Sequence, residues 1–136
     1  MVLSQNKSFV PNATTLSILK GKELDWVAIS KNENLSTDCF WAYRENLNWK
    51  NITKNKIFEI SDSEILSKYQ DYIDWQFISN SDKFKPTVIN LKRFKNQLNW
   101  NNINSRNDFS ISEEILEPFA DVLDWSKVSQ SMNIIL

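Results

Sequence analysis

Leu24-Asp25-Trp26-Val27-Ala28-Ile29-Ser30 is the stretch on which the fold turns, because its skeleton returns four more times along the 136-residue chain. The aliphatic residue, the Asp or Asn and the tryptophan recur as Leu47-Asn48-Trp49, Ile73-Asp74-Trp75, Leu98-Asn99-Trp100 and Leu123-Asp124-Trp125, at spacings of 23, 26, 25 and 25 residues. Three residues after each tryptophan stands Ile29, Ile52, Ile78, Ile103 or Val128, followed by Ser30, Thr53, Ser79, Asn104 or Ser129. Nine after it comes Leu35, Phe58, Phe84, Phe109 or Ile134. Linked offsets that recur together define an array of short units, the signature of a repeat architecture.

Each interval between tryptophans carries one helical pattern. Counting back from the last four tryptophans, the ninth residue is Phe40, Leu66, Leu91 or Leu116, the sixth is Tyr43, Tyr69, Phe94 or Phe119, and the second is Leu47, Ile73, Leu98 or Leu123. Spacings of three and four put these residues on one helical face and predict a helix of about three turns per interval. Ser61 with Glu64 fits a capping box and Ile60 with Ile65 a hydrophobic staple; Ser112, Ile111 and Leu116 repeat the staple. Pro86 suits a first helical position, where its missing N–H costs nothing. Pro118 falls inside the last of these patterns, where it should kink the helix or delay its start.

The residue before each tryptophan runs Asp25, Asn48, Asp74, Asn99, Asp124. A metal ligand or general base would not tolerate this alternation of charged and neutral side chains. An N-cap tolerates it, since either oxygen accepts the free N–H groups at the start of a second, very short helix that carries the tryptophan.

A unit with two such helices cannot bury its apolar face alone and must stack on its neighbours. The expected fold is therefore all-α, a short right-handed-type helical-repeat solenoid of five units of about 25 residues in one domain over 1–136. Its parts are an N-terminal cap over 1–22, in which Gly21 closes a short helix, repeats over 23–131, and an apolar C-terminal end over 132–136. That end, with Ile134 and Leu136 in register, must fold back, pair with another copy or continue into a longer array. Trp26, Trp49, Trp75, Trp100 and Trp125 are the expected structural core, each a wedge between repeats worth about 4–6 kcal/mol gross. The alternative is a leucine-rich-repeat-like α/β solenoid, since the unit length matches and Phe58/Ile60, Phe109/Ile111 and Ile134/Leu136 alternate as strands do. The strand core of that fold is missing, because the inward position after each tryptophan is Val27, Lys50, Gln76, Asn101 or Ser126.

Composition removes most chemistry. There is no histidine, one glycine and one cysteine, so imidazole catalysis, glycine-rich phosphate loops and thiolate metal frameworks lack their parts. No catalytic, cofactor-binding or metal-ligating residue is expected, and the protein is not expected to be an enzyme. Cys39 stands beside Phe40 where other units have Ile65 and Ile115, which fits a small buried apolar residue. A net charge of −1 exerts no overall pull on nucleic acid or anionic membrane. The stretch from Met1 to Lys20 lacks the pattern of a secretory signal or a membrane span, so a cytoplasmic protein without membrane contact is expected.

The Leu-Asp-Trp-x-x-Ile-Ser pattern of Leu24 to Ser30 resembles the tryptophan-rich short repeats, [DN]-W-x-x-[IV]-[ST], of uncharacterised bacterial, phage and giant-virus proteins. The similarity covers nearly the whole chain after residue 22. It implies a repeat scaffold and brings no catalytic residue or agreed activity with it.

Function is then expected where the repeat is broken. Trp41 stands eight before its tryptophan, where other units have Ser67, Lys92 and Glu117. Phe77 stands two after its tryptophan, against Ala28, Asn51, Asn102 and Lys127; Tyr72 stands three before, against Asn46, Gln97 and Val122. Aromatic anchors on a rigid scaffold are the material of binding hot spots. Packing beside a neighbouring unit would also explain them. The third interval is basic, with Lys83, Lys85, Lys92, Arg93 and Lys95 against Asp82, and the fourth is acidic, with Glu113, Glu114, Glu117, Asp121 and Asp124. Such patches suit an anionic partner or another copy of the chain. The leading expectation is a non-enzymatic protein-binding scaffold, an adaptor or phage-type inhibitor, using Trp41, Tyr72 and Phe77 with Lys92, Arg93 and Lys95. The alternative is a nucleic-acid-binding repeat protein that uses the basic third unit.

Overall fold

The computed structural model describes residues 10–19 and 23–132. Among them there are ten short helices and no strand, so the fold is an all-α helical repeat and the α/β alternative is excluded. Residues 1–74 form one compact unit, with α1 (Ala13–Ile18), α2 (Trp26–Lys31), α3 (Cys39–Ala42), α4 (Trp49–Lys54) and α5 (Ser63–Lys68). Residues 75–136 form a second, with α6 (Trp75–Asn80), α7 (Val88–Arg93), α8 (Trp100–Asn104), α9 (Glu113–Leu116) and α10 (Trp125–Met132). Odd-numbered helices fill the intervals; even-numbered ones begin at the tryptophans. Repeats stack in chain order, α2 on α4 in the first unit and α6 on α8 in the second.

The tryptophan helices start where the Asx residue caps them. Asp25, Asn48 and Asn99 accept the N–H three residues on, from Ala28, Asn51 and Asn102, at 3.0–3.2 Å. Asp124 accepts from Ser126, one residue earlier. The side chain four after the tryptophan then joins one repeat to the next. The hydroxyls of Ser30, Thr53 and Ser79 each donate to the tryptophan carbonyl of their own helix at 2.6 Å. The same oxygens accept the backbone N–H of the next Asx residue, from Asn48, Asp74 and Asn99. Asn104 does both with its amide, donating to Trp100 and accepting from Asp124. A capping residue thus uses its side chain inside its own repeat and its N–H on the previous one. All of Ser30, Thr53, Ser79 and Asn104 are buried, as such paired groups can be.

The interval helices are shorter than the three turns expected. At the aromatic residue six before the next tryptophan the backbone leaves helical geometry: Tyr43, Tyr69 and Phe94 sit at φ −107 to −118° and ψ 19 to 26°. This is the bridge region, which tightens the turn without requiring glycine. The carbonyls of Tyr43, Tyr69, Phe94 and Phe119 then accept from the N–H groups three and four residues on, which carries the chain round to the next cap. The indole N–H of the following tryptophan closes this turn. Trp49, Trp100 and Trp125 donate to the carbonyls of Arg44, Lys95 and Ala120 at 2.7–2.9 Å.

Three local expectations are corrected by side-chain chemistry. Asp62, not Ser61, caps α5, accepting from Glu64 and Ile65. Thr87 caps α7, accepting from Asn90, which leaves Pro86 outside the helix. Pro118 neither kinks nor delays a helix: α9 ends at Leu116, Glu117 stays in the αR region, and Pro118 has no N–H with which to continue the ladder. Ser112 is the N-cap of α9 as the staple pattern suggested, without a side-chain bond. Asn12 caps α1 in a reciprocal box with Thr15. Gly21, Ile134 and Leu136, and with them the closing of the first helix and the apolar C-terminal end, lie outside the described residues.

The core is built from the aliphatic residue three after each tryptophan and the aromatics around it. Ile29, Ile52, Ile78, Ile103 and Val128 are fully buried, with Phe58, Phe84, Phe94 and Phe119 beside them. The tryptophans differ from the buried wedge expected. Only Trp49 is buried; Trp26, Trp75 and Trp100 are half-buried and Trp125 is 37% exposed. Each of the first four stacks against the aromatic of the following interval, Trp26 on Tyr43, Trp49 on Tyr69, Trp75 on Phe94 and Trp100 on Phe119, with centroids 5.1–5.5 Å apart. A half-buried indole suits a residue that covers its neighbour while its N–H reaches a carbonyl.

Cys39 is fully buried, and burial together with nearby Asp38 pushes its thiol up to about 12. A thiol in that state is a poor nucleophile. Ellman's reagent at about pH 8 is expected to leave the native protein unlabelled on the time scale on which the urea-unfolded chain reacts fully. Rapid labelling of the native protein would contradict this placement.

Candidate interaction surface

Trp41 lies in α3 and is 47% exposed. Its indole is held rather than loose. The Arg44 guanidinium sits 4.1 Å from the ring centroid and donates to the Trp41 carbonyl at 2.8 Å, and the Lys68 ammonium is 5.7 Å from the same ring. Tyr69 supports it from inside at 6.2 Å. Cations over an indole are attracted by its electron-rich face, so the side chain is pre-ordered and presents apolar area flanked by positive charge.

Tyr72 is half-buried and occupied. Its ring stacks 5.5 Å from Trp49 and its hydroxyl donates to Glu45 at 2.9 Å. Glu45 in turn stands 3.9 Å from Arg44. Trp41, Tyr69, Trp49 and Tyr72 therefore form one aromatic run, of which Trp41 is the exposed end.

The other predicted residues belong to the second unit. Phe77 is half-buried in α6. Lys92 and Arg93 are exposed at the end of α7, the Arg93 guanidinium 5.7 Å from the Phe94 ring centroid. Lys95 is held across the repeat junction. Its ammonium pairs with Asp121 at 2.8 Å and donates to the Pro118 carbonyl at 2.9 Å. The hydrogen bond from Lys95 holds the Asp121 carboxyl below the usual carboxylate range. The basic third interval and the acidic fourth are thus joined inside the chain.

Ile18 and Ile89 are among the exposed apolar residues that the sequence reading passed over. Ile18 is 75% exposed and stands eight before Trp26, the same register position as Trp41. The Ala13 N–H donates to Asp38 and the Ser36 N–H to the Pro11 carbonyl, which sets α1 beside α3. Ile89 is 77% exposed and stands eleven before Trp100, where the other intervals carry Asp38, Glu64 and Glu114. Register comparison at these two positions would have found both.

Among the described residues, no group of three or more His, Cys, Asp or Glu is placed to hold a metal ion, and no helix is long and apolar enough to cross a membrane. No protein-family model, curated protein or solved structure matches the chain.

Proposed function

We propose that this chain is a non-enzymatic protein-binding repeat scaffold, a small adaptor or a phage-type inhibitor, that docks on a larger protein through the Trp41 surface of its first unit. The observation that carries the reading is an indole 47% exposed yet fixed by Arg44 and Lys68 on a hydrogen-bonded repeat. A residue so ordered loses little entropy on binding and offers a large contact area, the combination that makes tryptophan and arginine hot spots. Ile18, exposed at the same register position of the preceding interval, is a second apolar residue of the same unit. Kinship with the tryptophan-rich repeats of bacteria, phages and giant viruses is part of the same proposal, and the recurring Asx-Trp register supports it.

The test is a tagged pull-down with nuclease present, followed by titration of the recovered protein against the wild type and Trp41→Ala. Trp41→Ala is expected to weaken binding by about 2 kcal/mol or more, about thirtyfold. Unchanged affinity in both Trp41→Ala and Phe77→Ala would overturn the assignment. Recovery of nucleic acid alone, lost at high salt, would transfer the function to Lys92 and Arg93. Lys95 is already committed to Asp121 and weakens that second reading.

A further inference from the structure

We propose that two copies of this chain associate about a two-fold axis through the α7/α9 face of the second unit, the cationic half of each copy lying on the acidic half of the other. The proposal is independent of the Trp41 surface, which belongs to the first unit. It rests on a reversal of character between successive repeats at equal register. Eight before the tryptophan, one repeat carries Lys92 and the next Glu117; eleven before, one carries Ile89 and the next Glu114. All four side chains are exposed, Ile89 at 77%. Lys83 and Lys85 add positive charge to the third interval against Asp82, and Glu113 adds negative charge to the fourth; all four are exposed.

The two halves are fixed in relation to each other, because Lys95 bonds both Asp121 and the Pro118 carbonyl across the repeat junction. A face that is half positive and half negative does not suit a uniformly charged partner. Phosphates would be repelled by the Glu113, Glu114 and Glu117 side, and an acidic protein likewise. A second copy turned through 180° about an axis between α7 and α9 meets both halves with the opposite sign at once. That arrangement is isologous, so it closes as a dimer rather than growing into a fibre. A net charge of −1 sets no overall repulsion against it. Ile89 stands where the other intervals keep a carboxylate in water, so the cationic half lacks the negative charge that would otherwise face Glu114 of the other copy.

Sedimentation of the full chain at about 0.05 M and about 0.5 M salt reads the association directly. A dimer is expected at low salt, with a dissociation constant that rises about tenfold or more at high salt. Lys92→Glu or Glu117→Lys alone should weaken the dimer about tenfold or more, since symmetry places each change in the interface twice. The two changes combined in one chain restore complementarity and should return affinity to within about threefold of wild type. Ile89→Asp, which gives this interval the carboxylate of its neighbours, should also dissociate it. These positions are solvent-exposed, and unchanged far-UV circular dichroism will certify the fold. A monomer at about 100 μM protein in low salt overturns the proposal, as does a dimer that ignores both single reversals or that the double exchange fails to rescue.

Discussion

Trp49→Ala is expected to lower the stability of the protein by about 3–5 kcal/mol, whereas Trp125→Ala, the same change at the same repeat position, should cost about 1–2 kcal/mol. The difference follows from surroundings, not from residue type. Trp49 packs against Tyr69 at 5.2 Å, Tyr72 at 5.5 Å, Phe40 at 6.0 Å and Phe58 at 6.5 Å, and is 9% exposed. Truncation there opens a cavity that four rings cannot refill without leaving their rotamers, and the Arg44 carbonyl loses its indole donor. Trp125 is 37% exposed, so water already covers part of the ring and fills the space it vacates; what remains is its bond to the Ala120 carbonyl. Urea unfolding followed by far-UV circular dichroism measures both without depending on the deleted fluorophore. Equal losses would mean that all five tryptophans are equivalent wedges after all.

That contrast marks where the sequence was legible. The period, the helical faces and the Asx caps could be read because each depends on residues a few positions apart. The chemical equivalence of Asp and Asn pointed to a cap, and Asp25, Asn48, Asn99 and Asp124 accept N–H groups at the starts of their helices. Helix length could not be read in the same way. The break at Tyr43, Tyr69 and Phe94 is made by a bridge-region backbone that any residue can adopt, so no glycine or proline announces it. The role of Ser30, Thr53, Ser79 and Asn104 was also hidden. Their partners, the N–H groups of Asn48, Asp74, Asn99 and Asp124, lie 18 to 21 residues further on.

The surface divides along the same line. Trp41 was found because its register position is polar in three other intervals, and its exposure agrees with that contrast. Tyr72 was singled out by the same comparison, yet Trp49 and Glu45 engage it from within the unit. Comparison across repeats detects an unusual residue but not whether a neighbour accounts for it. Lys95 shows the same limit for charge, since its carboxylate partner is contributed by the next repeat.

The carbonyl ends of the tryptophan helices show how one structural demand is met by different residues, and they yield the second large effect. The last carbonyls of a helix lack donors within it. In the first unit Asn55 supplies them, its amide donating to Ser30 and Asn32 at 3.0 Å. In the second, Arg106 stands at the same register and reaches Ser79 at 2.9 Å and Phe84 at 2.7 Å, while Lys127 donates to Asn104. The Arg106 side chain is only 9% exposed and its remaining donors hold Asp108, at 2.8 and 2.9 Å. Arg106→Met keeps much of the apolar stem but leaves two carbonyls without their donor, and is expected to cost about 2–4 kcal/mol. The pH dependence separates this from mere loss of packing. The hydrogen bond from Arg106 holds the Asp108 carboxyl below the usual carboxylate range. A carboxyl whose native pKa lies below its unfolded value of about 3.9 binds more protons when unfolded, so it contributes stability above that value and loses it as pH falls through the lowered native one. Arg106→Met should therefore flatten the acid side of the stability curve as well as lower it. Asp108→Asn should flatten it equally while retaining the bonds to Ser79 and Phe84, and so lose less at neutral pH. A loss below about 0.5 kcal/mol for Arg106→Met would show that water replaces the guanidinium at no cost and that the junction does not depend on it.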